Sequence, residues 1–369
     1  MKKISIVTTA CVPWLTGTSI NPLYRAIALS ELGFIVTLYV PYVKKSDQPN
    51  IFNHIFTVSE QKKYLETHFL KKSGIKEVCF YPAKCHLYDG KPSLFPDIRI
   101  DKLMNHTDII ILEEPEHLLW LNPLQNFKSK ANKVIGIIHT NYLSYLKYSN
   151  SNFLAWIIKY YSRILLRMKC SKIIHLSQVT KELFPKGDVI PLNGVRDNFF
   201  ISNLKHDSCG IYTCAKLIFE KGYKELIDLL SSCDYNDEIH CYGKGYDNEQ
   251  ITLYANSKNV NLRFYGEVDN PSVAFNKYKI FINTSRSEVL CTTTAESIVM
   301  GKIVIIPKHP SNESFYHYTN VFLYNNAVEF KSALDKAKIL NSLSGESNLE
   351  ELRWINVTSK YLIPLLGVK

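Results

Sequence analysis

Apolar positions along the chain fall into two alternating rhythms. Compact runs at Ile4–Thr9, Phe34–Val40, Asp108–Leu112, Lys133–Ile138 and Lys172–Leu176 have the length and β-branched content of buried strands. Segments long enough for crossover helices separate them. In the first, Asn21 and Pro22 read as an N-cap and first-turn pair, Leu23, Ala26, Ile27 and Leu29 recur at helical spacing, and Gly33 ends the run. Strand–helix–strand repetition predicts a parallel, doubly wound sheet.

After the turn-rich stretch Pro191–Asn198 the same grammar restarts, with strands predicted near Gly210–Cys214, Glu238–Tyr242, Leu262–Tyr265, Ile280–Asn283 and Ile303–Pro307. The expected architecture is α/β: two Rossmann-like domains, residues 1–190 and 205–345, facing each other across a cleft, with a hinge near 185–207. Segment 346–369, with the amphipathic ELRWINVTSKYL, is expected to return as a helix to the first domain. Open parallel sheets bind ligands beyond the carboxyl ends of their strands, so that cleft is the place to seek chemistry.

Composition narrows the class. The 369 residues are 46% hydrophobic and 21% charged, without repetitive stretches, which excludes disordered and solenoid readings. Nine cysteines lack a CxxC pair or a zinc-like Cys/His spacing, so reduced thiols and a cytoplasmic location are expected. Met1–Thr9 lacks the apolar core of a signal peptide, and no secretion is expected. The most apolar stretch, Phe153–Leu166, is interrupted by Lys159 and Arg163 and is not expected to span a bilayer.

A net charge of +10 suits an acidic surface. No nucleic-acid-binding motif accompanies it, so nucleic acid is not the expected partner and anionic membrane is preferred. The stretch Asn152–Lys172 reads either as a partly buried crossover helix or as an amphipathic membrane-surface helix. In the second reading Trp156, Tyr160, Ile164 and Leu165 meet apolar surface, while Lys159, Arg163 and Arg167 lie near phosphate. A peripheral association with the cytoplasmic face of a membrane is then expected.

Candidate chemistry gathers at predicted strand ends. Glu288 and Glu296 flank seven residues, and the segment after the strand near Ile280 opens a helix around Thr292. Free N–H groups of Leu290, Cys291 and Thr292 would face a phosphate, aided by the helix dipole, and Glu296 would reach ribose hydroxyls. Taken alone, two glutamates eight apart equally suit a solvated helix.

Lys216 and Lys221, just beyond the first strand of the second half, would neutralise a diphosphate leaving group, although each alone reads as a solvated loop lysine. Gly17 lies in a strand-to-helix turn where a missing Cβ lets a backbone N–H approach a ligand. His139 emerges at a strand end, and the acidic run Glu113, Glu114 and Glu116 follows another strand, placed for acceptor hydroxyls or for solvent.

The chain lacks D-x-D, G-x-G-x-x-G, the P-loop pattern, G-x-S-x-G and H-E-x-x-H. Without D-x-D, lysines and a helix terminus are expected to stabilise the leaving group in place of a metal ion, and no cofactor is expected.

The segments TTACVPWLTGTSINPLYRA (8–26), LEEPEHL (112–118), VIGIIHTNYLSY (134–145), LNGV (192–195) and VLCTTTAESIVMGKIVIIPKHPSNESF (289–315) resemble the GT-B glycosyltransferases with an E-x7-E donor motif, and most of all the digalactosyldiacylglycerol synthases. The resemblance implies a retaining hexosyltransferase that moves galactose from UDP-galactose to a glycolipid or lipid-linked acceptor. It implies that Glu296 binds the ribose, that Lys216 and Lys221 hold the diphosphate, and that Glu288 and His139 flank the donor sugar. Gly17 would close the cleft from the first domain, and Gly266 and Val268 would lie beside the nucleobase. Two other readings stay open: a capsule or lipopolysaccharide glycosyltransferase using another nucleotide sugar, and a non-catalytic nucleotide-sugar- or membrane-binding protein.

Overall fold

The computed structural model describes residues 1–14, 16–71, 74–88, 91–144, 152–200, 209–268, 271–340 and 348–367. They build two sheets. The first contains β1 (Lys3–Val7), β2 (Ile35–Val43), β3 (Glu77–Tyr88), β4 (Lys91–Pro96), β5 (Thr107–Glu113), β6 (Ala131–Ile138), β7 (Lys172–His175) and β8 (Asp188–Val189), in the order 4-3-2-1-5-6-7-8. The second contains β9 (Ile211–Cys214), β10 (Ile239–Tyr242), β11 (Leu262–Phe264), β12 (Ile280–Ile282), β13 (Ile303–Pro307) and β14 (Val321–Tyr324), in the order 11-10-9-12-13-14.

Neighbouring strands pair in parallel, with β3 and β4 as an antiparallel hairpin at one edge. Central strands buried on both faces read as continuous apolar runs, as IIIL at 109–112 and IVII at 303–306 do. This is the doubly wound, two-domain architecture expected from the sequence.

The first helix corrects the expected boundary. It spans Gly17–Glu31, so Pro22 lies inside it and Gly17 is its first residue. A proline there removes the N–H that would bond Thr18 O. Thr8 Oγ1 donates to that carbonyl instead, at 3.0 Å, and the helix continues. Its start is fixed by Thr16 N donating to Ser19 Oγ at 3.1 Å, a local side-chain bond that the apolar pattern does not reveal.

The chain's last described segment crosses back. Trp354–Leu366 is helical, Leu362 and Leu366 are buried among residues of the first sheet and its helices, and Lys133 Nζ donates to Leu365 O at 2.6 Å. Val289 from the second sheet's loops is buried in that same cluster, so side chains of both sheets meet there.

Candidate active site

In each sheet the strand order reverses beside one strand, β1 in the first and β9 in the second. The loops that leave such a switch point diverge and open a crevice. After β9 comes Ala215–Lys221, and after β12 comes Asn283–Cys291 leading into the helix Thr292–Val299. These loops carry Lys216, Lys221, Glu288, Leu290, Cys291, Thr292 and Glu296.

Contacts tie the two loops together. Lys221 Nζ donates to Glu288 Oε1 at 2.7 Å, Ser287 Oγ donates to Glu220 O at 2.7 Å, and Thr293 Oγ1 donates to Cys214 O at 3.2 Å. Asn283 shapes the turn: its Nδ2 reaches Thr294 Oγ1 at 3.1 Å and its Oδ1 accepts from Ser285 N at 3.0 Å. The helix N-terminus and the Lys221–Glu288 pair thus lie on joined loops at neighbouring strand ends, with Glu296 one turn further along the helix. Lys216 is exposed, Cys291 is buried, and Leu290 and Thr292 are partly buried. Glu296 receives Arg196 Nη2 at 3.0 Å; burial raises its pKa and Arg196 offsets part of that rise.

Gly266 closes the far side of the second sheet. Its φ is +74°, its carbonyl accepts from Gly243 N at 2.8 Å, and a Cβ placed there would meet nothing within 4 Å. Val268, two residues on, is partly buried against the second sheet's apolar cluster. The Gly243–Gly245 loop went unread in the sequence. A Cβ at Gly243 would lie 2.0 Å from Ala215 O and one at Gly245 2.1 Å from Leu217 O, so glycines alone let this loop lie on the strand end that carries Lys216. At Gly17 a Cβ would meet only Asn21 Nδ2, at 3.6 Å, so packing within the chain does not demand glycine there.

In the first sheet the counterpart loops leave β1 and β5. Glu113 ends β5 and Glu114 follows it; of the partners the sequence allowed, solvent is excluded, because both carboxylates are paired inside the protein. Both are buried. Glu113 Oε1 accepts from Arg25 Nε at 2.7 Å, and its Oε2 pairs with His139 Nε2. Burial works against the Glu113 charge, but Arg25 and His139 outweigh it and hold its pKa below the ordinary carboxylate value. Glu114 accepts from Thr9 Oγ1, Thr140 Oγ1 and the Tyr142 hydroxyl. Its φ of +59° is the left-handed region, a strained setting for a side chain with Cβ. Glu113 thus fixes the position of His139, and Glu114 ties Thr9, Thr140 and Tyr142 together.

Arg25 is the residue that sequence reasoning missed. Fully buried, it also donates to Leu192 O at 2.8 Å and Asn193 Oδ1 at 3.1 Å, and its guanidinium lies 5.5 Å from the centre of the Trp354 ring. That accounts for the LNGV motif: Leu192 and Asn193 hold Arg25, while a Cβ on Gly194 would collide with the Trp354 backbone at 2.6 Å. Tyr24 stacks on Trp354 with ring centres 6.2 Å apart and feels the charges of Arg196 and Glu296. Helix Gly17–Glu31 thereby links His139's carboxylate to the Glu296 side of the crevice. A helical arginine resembles any solvated one in sequence, which is why no signal marked it.

Glu116 is buried with neither carboxyl oxygen bonded outside its own residue among the described residues. Burial, then the neighbouring Glu114 charge, raise its pKa well above the ordinary value of 4.5. A carboxyl with a raised folded-state pKa is penalised once pH exceeds its unfolded-state value, by about 1.4 kcal/mol per pH unit up to the folded-state value. Glu116→Gln is therefore expected to raise the melting temperature at pH 7.5, with the gain fading as pH falls to about 4.5. A gain that does not change with pH in thermal denaturation would show that Glu116 is ionised in the fold.

Residues 195–341 match the family described as glycosyl transferases group 1. Over 98% of its length the chain is 35% identical to digalactosyldiacylglycerol synthase 1, chloroplastic, of Arabidopsis thaliana, and over 97% it is 35% identical to the chloroplastic digalactosyldiacylglycerol synthase 2 of the same plant. It spans 47% of the first and 80% of the second, so it has about half the length of the first curated relatives it matches.

Among solved structures, the sucrose-phosphate synthase of Thermosynechococcus elongatus superposes with a TM-score of 0.64 at 13% identity, covering 100% of this chain and 99% of that one. The HepE protein of Anabaena, solved with UDP, superposes with a TM-score of 0.65 at 15% identity, covering 100% of both chains. These shared folds are GT-B.

The expected cytoplasmic location is overturned: the plant relatives are chloroplastic. With 35% identity across four fifths of a digalactosyldiacylglycerol synthase, the chain belongs to the digalactosyldiacylglycerol synthase family of group 1 glycosyltransferases.

Proposed function

We propose that the chain is a retaining, metal-independent galactosyltransferase that moves galactose from UDP-galactose to the sugar hydroxyl of a monogalactosyl lipid. The observation that carries this reading is the crevice where Lys221, Glu288, Glu296 and the N-terminus of helix Thr292–Val299 converge. Lys216 and Lys221, with the helix N–H groups, would take the charge that develops on the departing diphosphate. Glu296 would accept the ribose hydroxyls once Arg196 yields. Glu288 and His139 would orient the galactose from opposite sheets. In a same-face transfer the departing phosphate oxygen takes the acceptor's proton, the new glycosidic bond forms on the face the diphosphate leaves, and the α configuration is kept.

Incubating the purified protein with UDP-galactose and monogalactosyldiacylglycerol, followed by mass spectrometry and NMR of the anomeric proton, tests the reading. An α-linked digalactosyl lipid formed equally with and without EDTA is expected; a β linkage, or transfer lost to EDTA, refutes the corresponding part. Glu296→Ala is expected to weaken UDP binding roughly tenfold to a hundredfold by calorimetry, as loss of a charge-assisted hydrogen-bond pair should. Unchanged affinity would remove Glu296 from the ribose site.

A further inference from the structure

The helix Asn152–Lys169 buries Ala155, Ser162, Leu165 and Leu166 against the first sheet. Leu165, expected from sequence on the outward apolar side, is a core residue. The opposite face is apolar as well and is left uncovered by the described residues: Phe153 is 76% exposed, Trp156 56%, Ile164 57% and Met168 60%, with Ile157 and Tyr160 between them. Leu121 and Leu124, both exposed, follow the neighbouring helix Pro115–Trp120. That helix is joined to this one by Trp120 Nε1 donating to Ser162 Oγ at 2.8 Å and by the Tyr161 hydroxyl donating to Trp120 O at 3.1 Å. The two joined elements thus both present exposed apolar side chains, more than soluble monomers usually leave open.

We infer that this patch inserts into the interfacial zone of a lipid bilayer. Its chemistry fits that occupant: the helix carries Trp and Tyr on the exposed side, four basic residues and no acidic one. A second copy would press this basic helix of a +10 chain against its like.

The basic residues named in sequence as phosphate ligands play a smaller part than the apolar face. Arg163 donates to Leu183 O at 2.9 Å and Glu182 O at 3.1 Å, and Lys159 pairs with Glu182 at 3.6 Å, so both are held by the protein; Arg167 is exposed. Apolar insertion rather than charge then dominates attachment.

The position suits the chemistry. Trp120 packs on Tyr142 with ring centres 4.7 Å apart, and the Tyr142 hydroxyl reaches Glu114 at 3.1 Å. Two side chains, Trp120 and Tyr142, thus connect the helix to Glu114. The inference takes its purpose from the lipid-acceptor reading above, and the binding test below is blind to catalysis.

The full chain is sedimented with vesicles of pure phosphatidylcholine, and with vesicles containing phosphatidylglycerol, at low and high salt. Binding to both is expected, stronger on anionic vesicles at low salt, with the neutral-vesicle binding surviving high salt. Changing Trp156, Ile157 and Ile164 to serine together is expected to lower partitioning roughly 100-fold or more, with UDP affinity unchanged as the check on folding. Undiminished binding by the variant, or binding by the native chain that salt abolishes, overturns the inference. A variant that binds vesicles normally but loses a dimer assigns the face to a second copy instead. If the native chain binds vesicles and transfers no galactose, the functional reading fails and the surface stands.

Discussion

Changing Lys221 to alanine is expected to lower galactosyl transfer by about 10²–10³-fold, the usual loss when one preorganised donor to a developing oxyanion is removed. Without donor the ammonium is held by Glu288 at 2.7 Å, in a partly buried setting. A diphosphate entering between this ammonium and the N-terminus of helix Thr292–Val299 meets two positive ends at once. Charge on the diphosphate grows as the glycosidic bond breaks, so the ammonium's contribution is larger in the transition state than in the bound donor. The loss should therefore fall mainly on kcat rather than on donor affinity. Lys221→Arg keeps the charge but changes its shape and reach, and partial recovery is expected. Steady-state kinetics with UDP-galactose checks both variants. A fall of less than about fivefold for Lys221→Ala would move the leaving-group role elsewhere in the crevice.

The sequence exposed this side of the site well because its signals are local. Strand IFI, the turn and TTTAESIV follow one another within 20 residues, and the periodicity changes from a buried run to a helix at Thr292. The strands of both sheets were legible for the same reason: β1, β5, β6 and β13 are short apolar runs buried on both faces.

The edge was not legible. Strand β3 contains Pro82, and its first half, residues 77–80, shows no alternation, which begins only at Tyr81; its register is fixed by pairing with β2 on one side and the β4 hairpin on the other. What holds the first-domain side together was equally hidden, because it is assembled from distant segments: Thr9 with Glu114, Glu113 with Arg25 and His139, and Arg25 with Asn193. A run of glutamates after a strand looks like a solvated loop until the topology brings an arginine from 88 positions earlier beside it. The helix Asn152–Lys169 shows the converse. Its sequence allowed either a buried crossover or a surface helix, and it is both, with one face in the core and the other bare.

Arg25 is expected to be the most costly single residue to lose for stability. Arg25→Met removes the cation from a buried carboxylate and leaves Leu192 O and Asn193 Oδ1 without their donor. Breaking a buried pair by deleting one partner costs about 3–5 kcal/mol, whereas replacing both by apolar or neutral groups is often close to neutral. Arg25→Met/Glu113→Gln should therefore recover much of what Arg25→Met loses.

Acid adds a second signature. Glu113 has a lowered folded-state pKa, so its contribution is fully present above the ordinary carboxylate value of 4.5 and disappears as pH falls through the folded-state value. The stability gap between native chain and Arg25→Met should accordingly close on acidification below about pH 4.5. Denaturant unfolding from pH 7 down to pH 3 measures it. A gap that persists unchanged in acid would mean that Arg25 stabilises the fold through Trp354 and the LNGV carbonyl alone.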